Sequence, residues 1–458
     1  MTLNMSEGNT TKILLAFTMP MIAGNIFQQL YNVVDSVIVG RYVGFDALAA
    51  VGASFPVVFM LIAVVMGLTM GSSTVISQLF GAGEHARVRR AVFTSLIALV
   101  AVSLACAALG LLVAQPVLRL INTPADIFAD CVTYLNIFFT GSIFLFLYNG
   151  FSAVLRALGD SKSPLYFLII AALINIVLDY VFVVYLLMGV AGVAWATLIS
   201  QAVSVVLCFI YILRRVPALR FEKADLVFDR QLLGTMMRYA VPSTIQQFIV
   251  SFGAIAIQGL VNSYDTVVIA GYTASLRIDQ IAMMPIMNFS LGLSTFTAQN
   301  IGAGTGHRIK EGYRVTLLCC IVVSGLVTGV AYLFGEQIIG LFLDVGSNSA
   351  AVDAVIQVGV TYLRVVSPFY VLMGMMFTAN GVLRGSGDVN VFMLITLLNL
   401  AIRVASAYIL AAFIGPEAIW WSLPVGWAAA AVLSHWRYFS GKWRNNSLTS
   451  HIGSIVLE

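Results

Sequence analysis

Ionisable side chains are scarce in this chain: Asp, Glu, Lys and Arg make up 10% of 458 residues, against roughly 25% in a soluble globule. So little charge cannot cover a water-facing surface. With 60% hydrophobic residues and a mean hydropathy of +0.96, the solvent expected for most of the chain is lipid. Histidine is also rare: His85, His307, His435 and His451 fall at loops or span ends, without an HExxH pattern or a nucleophile constellation, which argues against an intramembrane enzyme of the zinc or nucleophile type. The five cysteines (Cys106, Cys131, Cys208, Cys319, Cys320) show no CxxC spacing, so they read as small buried hydrophobes rather than as a disulfide framework or zinc site. Residues 1–12 lack the basic region and cleavage site of a secretory signal, so the first apolar run is expected to remain as a span. No low-complexity segment is present. The formal charge of +4 resides in loops and gives no ground for nucleic-acid binding.

Apolar runs fill the rest. A span needs about 20 apolar residues, and polar breaks divide the runs into twelve: 14–39, 51–79, 91–113, 131–156, 164–187, 190–213, 239–261, 269–299, 313–335, 356–383, 391–412 and 417–440. Several are long enough to require tilt or bending, and Pro20, Pro56, Pro285 and Pro368 are candidate kinks. With an even number of spans both termini share one side. That side carries 19 of the 24 Lys and Arg residues while the other has Arg41 and Arg119, which puts both termini in the cytoplasm. Arg277, Arg364 and Arg403 fall within spans.

An internal repeat organises the runs. Gln78, Gly81, Gly83 and Arg87 recur as Gln299, Gly302, Gly304 and Arg308, and Gly71 and Ser73 as Gly292 and Ser294, all 221 residues on. Pro20 recurs as Pro242, and LRALGD (155–160) recurs as LRGSGD (383–388). The repeat unit holds six spans, so the halves share one topology. The expectation is an all-α membrane protein of two six-helix lobes, related by a pseudo-two-fold axis along the membrane normal, with a central cavity. The lobes are 1–213 and 239–458, the second ending in a cytoplasmic tail, and 214–238 is a cytoplasmic connector. The twin GAG segments read as helix caps with tight turns, the alternative being a cytoplasmic gate contact. They lack the Lys and Ser/Thr of a phosphate-binding loop.

Three acids sit inside the spans: Asp35, Asp179 and Asp279. A carboxylate in hydrocarbon costs several kcal/mol unless paired, hydrated or protonated, so its presence points to transport. Symmetry fails here, because Ile257 and Ala407 occupy the repeat positions of Asp35 and Asp179. At 1.5 Å rise per residue, Asp35, Asp179 and Thr197 lie roughly 7 to 12 Å below the outer surface. Asn175 is one turn before Asp179 on the same face. Asp35, Asn175, Asp179 and Thr197 thus converge on one oxygen-rich pocket, whose guest is a proton or a sodium ion taking hard oxygen ligands. Two carboxylates there titrate as a unit. The competing reading is a polar network that pins helices together.

On these residues the chain resembles the multidrug and toxic compound extrusion (MATE) family of efflux antiporters, DinF-like and MepA-like bacterial members above all. The features are the twelve-span repeat, Pro20 followed by Asp35, NIVLD (175–179), Thr197 and the twin GAG turns; the resemblance covers about residues 12–440. It implies that Asp35, Asn175, Asp179 and Thr197 form an amino-lobe cation site, Na⁺ being the metal if coupling is to sodium, and that Pro20 is the bending point of the first span. NorM-type members also carry carboxylates in the seventh and tenth spans. This chain has Gln246, Gln247 and Gln258 in the seventh, no acid in the tenth, and Arg403 at the repeat position of Asn175.

The function so implied is multidrug efflux of amphiphilic, mostly cationic compounds in exchange for H⁺ or Na⁺, in the plasma membrane, by a monomer with no cofactor, lipids being its surroundings. Soft side chains suit such cargo, and Tyr31, Met60, Met66, Tyr148, Gln246, Met283, Met287, Met376 and Arg403 are the candidate cavity residues. Arg403 and the Arg277/Asp279 pair either neutralise one another or bond carbonyls within the second lobe, or they set the charge preference of the cavity. The alternative function is a lipid-linked oligosaccharide or other lipid flippase of the same superfamily, although few intramembrane cations are available for a pyrophosphate.

Overall fold

The computed structural model describes residues 3–341 and 349–446; the expected tail beyond residue 446 lies outside them. Fourteen α-helices are found among these residues: α1 (Thr10–Ile38), α2 (Phe45–Gly81), α3 (His85–Leu120), α4 (Ala125–Thr140), α5 (Ser142–Ala157), α6 (Lys162–Tyr180), α7 (Gly189–Arg215), α8 (Arg230–Val261), α9 (Thr266–Gly302), α10 (Gly306–Gly340), α11 (Ser349–Val366), α12 (Tyr370–Ser386), α13 (Val389–Ile414) and α14 (Glu417–Phe439). Two pairs of consecutive helices each fill one place, α4 with α5 and α11 with α12, so the helices fill the twelve expected places. Ten stretches are long and apolar enough to span a bilayer by themselves, and α4–α5 makes an eleventh. α14 fills the twelfth place, 417–440, without passing that test of length and apolarity.

The sharp break is not at a proline of the first half. Pro20, Pro56 and Pro285 lie inside uninterrupted helices, whereas α4 and α5 meet at 49° across Gly141. A Cβ at Gly141 would run into the Leu198 side chain of α7, so the bend lies at a close helix–helix approach that a larger residue would force Leu198 to leave. Pro368 does fall at a break, that between α11 and α12. It removes the N–H that would bond the Arg364 carbonyl, and the Tyr332 hydroxyl donates to that carbonyl at 2.9 Å, while Thr328 donates to Ser367 O at 2.7 Å. Arg364, expected within a span, is half exposed and lies 4.0 Å from Glu336, near the end of α10.

The chain resolves into two compact units. One comprises Met1–Met5 with Met19–Thr244, and the other Ser6–Thr18 with Ile245–Glu458. The divisions within α1 and α8 fall next to Pro20 and Pro242, so each of these helices changes unit at its proline. Within the first unit, the start of α8 lies on α2 at Gly71, where an added Cβ would strike the Met236 carbonyl and Ala240. Within the second, the start of α1 lies on α9 at Gly292, where a Cβ would strike the Thr18 hydroxyl. Gly71 and Gly292 are repeat partners. The GAG turns are also equivalent: Gly83 and Gly304 have φ of 72° and 71°, and Ala82 and Ala303 cap Gln78 O and Gln299 O.

Candidate functional site

The first unit gathers the two acids expected to meet. Asp35 lies near the end of α1, four residues before a π-helical turn (Val39–Val43); Asp179 lies near the end of α6, two residues before another (Val181–Tyr185). Both turns are closed by a bond from the sixth residue back to the first, Gly44 N to Val39 O at 3.1 Å and Leu186 N to Val181 O at 3.0 Å. Ile38, Val39, Val183, Val190 and Val193 form an apolar cluster immediately beyond the acids along these helices, with Tyr134 and Ile176 packed against it. That cluster shields one end of the pair from water.

At the acids, one oxygen of each carboxyl is left without a partner. Asn175 and Asp179 are fully buried, and Asp35 is half buried. The carboxyls of Asp35 and Asp179 are within hydrogen-bonding reach of each other, yet Asp35 Oδ1 and Asp179 Oδ1 are both buried with no hydrogen-bond partner. With its nitrogen toward the acid, the Asn175 amide donates to Asp179 Oδ2 at 2.9 Å and accepts from Thr197 N at 3.2 Å. Turned the other way, it donates to Thr197 Oγ1 at 3.5 Å. The Tyr31 hydroxyl reaches the Thr197 side chain, and both Tyr31 and Tyr134 lie within the electrostatic field of the two acids. Orphaned carboxylate oxygens in a buried cleft are acceptors for a cation, because an unpaired buried charge is costly and a bound positive ion removes that cost.

The second unit treats its acid differently. Asp279 is 3% exposed and accepts from the phenols of Tyr362 and Tyr370, one on each oxygen. Arg277 is exposed, so the Arg277/Asp279 pairing considered from sequence is replaced by these two tyrosines. Arg403 approaches Tyr272 and lies close enough to Asp279 for their charges to interact. Ile257 and Ala407, at the repeat positions of Asp35 and Asp179, are 1% and 0% exposed.

The candidate cavity residues are divided between the units, Tyr31, Met60, Met66 and Tyr148 in the first and Gln246, Met283, Met287, Met376 and Arg403 in the second. Tyr31 joins the acid pair, while Tyr148 directs its hydroxyl to Pro164 O at 3.4 Å and Met376 is buried beside Asn399. Gln246 donates to Thr396 at 3.2 Å. Met60, Met66 and Met287 are exposed and Met283 is half buried. Tyr134, Tyr362 and Tyr370 were missed by the sequence reading. A signal existed, since Tyr362 lies 228 residues after Tyr134, the offset of the LRALGD repeat, and a phenol inside a span needs a partner.

The MatE family model matches residues 20–181 and again 242–409, so that each copy starts at or beside one of the two repeat prolines. The chain belongs to the MatE family. Among relatives of this MatE chain, the probable multidrug resistance protein YoeA of Bacillus subtilis is 29% identical over 97% of the chain and 96% of its own length. The multidrug export protein MepA of Staphylococcus aureus is 21% identical over 92% of each. A solved structure described as the outward-facing conformation of a multidrug resistance MATE family transporter of the MOP superfamily shares the fold, with a TM-score of 0.88 over 96% of this chain and 98% of its own, at 23% identity. The MatE chain is therefore a multi-pass membrane protein of a transporter family.

Proposed function

We infer that this protein is a secondary active multidrug efflux antiporter of the plasma membrane, both termini cytoplasmic, which expels amphiphilic, mostly cationic compounds in exchange for H⁺ or Na⁺. The observation that carries the reading is the pair of buried, unpartnered oxygens on Asp35 and Asp179. The multidrug relatives support the cargo class, and the inward bias of Lys and Arg supports the orientation.

In this mechanism a cation entering from outside neutralises the carboxyl pair. A proton is held between Asp35 and Asp179, with Asn175 orienting the second acid. Sodium fits the same place only with the Asn175 amide turned so that its oxygen joins the two carboxylates and Thr197 as a hard ligand. Neutralisation bends the first span near Pro20 and disfavours bound drug; alternating access then releases the ion inward, and the restored negative charge helps capture the next cationic drug. One charge falling through 100 mV supplies about 2.3 kcal/mol, enough for a roughly fiftyfold concentration gradient.

The test is uptake of a fluorescent organic cation into proteoliposomes with pH and sodium gradients imposed separately. Uptake driven by one of the two is expected; uptake indifferent to both overturns the coupling.

A further inference from the structure

The second unit holds a cavity of about 430 Å³ where α10 begins and α14 ends. Its walls are aromatic: Tyr313 stacks on Tyr438 at 4.2 Å between ring centroids, and Tyr438 on Trp443 at 6.1 Å. This stack is fixed in place. The Tyr313 hydroxyl bonds His435 Nε2 at 2.6 Å, and Trp443 Nε1 donates to Tyr438 O at 2.9 Å. Three cations border it: Lys310 and Arg314, one turn apart and exposed on α10, and Arg444, whose guanidinium lies 5.4 Å from the Trp443 ring.

Among the described residues none of these three cations pairs with a carboxylate. The nearby acids are engaged elsewhere, Glu311 accepting from the Thr10 hydroxyl at 2.7 Å and Asp388 holding Arg437 at 2.6 Å. The first unit shows the alternative. Lys310 is the repeat partner of Arg89, and Arg89 is met by Asp225 at 2.5 Å from the segment that follows the sixth span. The segment that follows the twelfth span, Lys442–Asn446, contributes Lys442 and Arg444 instead. One unit carries its anion in the chain; the other presents further positive charge.

Below the cations the flanking helices become apolar and exposed. Leu318 and Ile321 on α10 are 62% and 42% exposed, and Trp436 and Val432 on α14 are 65% and 68%. A charged rung above a lipid-facing apolar stripe matches an amphiphile with an anionic head. We propose that this cavity binds an anionic phospholipid, its phosphoryl headgroup on Lys310, Arg314 and Arg444 and its acyl chains along α10 and α14.

Native mass spectrometry of the full chain, released from micelles containing equal phosphatidylglycerol and phosphatidylcholine, reads the proposal directly. Each Lys or Arg at a membrane surface is worth about fivefold in anionic-lipid affinity, so the combined Lys310→Gln, Arg314→Gln, Arg444→Gln variant should lose retained phosphatidylglycerol by roughly a hundredfold. Arg89→Gln, whose charge is met internally, should change it little. Should the triple variant melt below wild type in phosphatidylcholine alone, the single Arg444→Gln and Lys310→Gln variants replace it, each with about a fivefold loss expected. Equal retention of the two lipids by the wild type, or undiminished phosphatidylglycerol in the variants, overturns the proposal. Inorganic phosphate is the third arm: phosphate that displaces the lipid at millimolar concentration marks a soluble-anion site and also overturns it.

Discussion

Tyr134 and Tyr362, 228 residues apart, stand beside buried acids in both units, yet the acids come from different helices and end in opposite states. In the first unit Asp35 and Asp179 share one cleft and leave two oxygens without donors; in the second, Asp279 has a phenol on each oxygen. A carboxylate already satisfied by two donors gains little from an added cation, whereas an unsatisfied pair gains much. Under the proposed function, ion exchange belongs to the first unit, while in the second Asp279 is a structural clamp that ties α9 to both sides of the Pro368 break.

The strongest way to break that contrast is exchange of acid for amide. Asp35→Asn or Asp179→Asn should reduce gradient-driven efflux of a fluorescent cation to background at unchanged expression, while Asp279→Asn should keep gradient dependence and lose stability. Next in size, Tyr362→Phe leaves a buried carboxylate oxygen without its donor and should cost about 1–3 kcal/mol, read as a lower melting temperature. Its counterpart Tyr134→Phe should cost under about 0.5 kcal/mol, in the range of changes that break no bond.

The repeat glycines sharpen the comparison further. Gly71→Ala meets a backbone carbonyl and should destabilise by about 1–3 kcal/mol, whereas Gly292→Ala meets a rotatable hydroxyl and should cost less than about 1 kcal/mol. The smallest effect belongs to the connector. Arg89 beside Asp225 holds that carboxyl below its ordinary range. The contact therefore stabilises fully above the free carboxylate value of about 3.9 and is lost as pH falls through the lower folded value. Amide protection across residues 217–225, taken relative to the intrinsic exchange rate at each pH, should fall in acid in the wild type, and Asp225→Asn should already show that fall at neutral pH.

Much of this was readable in the chain because lipid imposes a simple code. Runs of about 20 apolar residues must be helices, and the 221-residue offset fixes which helices correspond. The meeting of Asp35, Asn175, Asp179 and Thr197 was legible because helical rise converts sequence position into depth. What stayed hidden depends on contacts between helices. The bend at Gly141 exists because Leu198 crowds it from α7, and the π-helical turns after Asp35 and Asp179 lie in valine-rich segments with no local marker. The exchange of α1 and α8 between units could not be read either, since Pro20 and Pro242 mark a possible bend but not the unit to which each half belongs.

The most direct test is counter-ion flux measured beside drug flux in proteoliposomes for wild type, Asp35→Asn, Asp179→Asn and Asp279→Asn under one imposed gradient. Coupled flux in wild type and Asp279→Asn, with none in the other two, is the expected result. Coupling that survives the loss of Asp35 and Asp179 but disappears with Asp279 would contradict the assignment of exchange to the first unit.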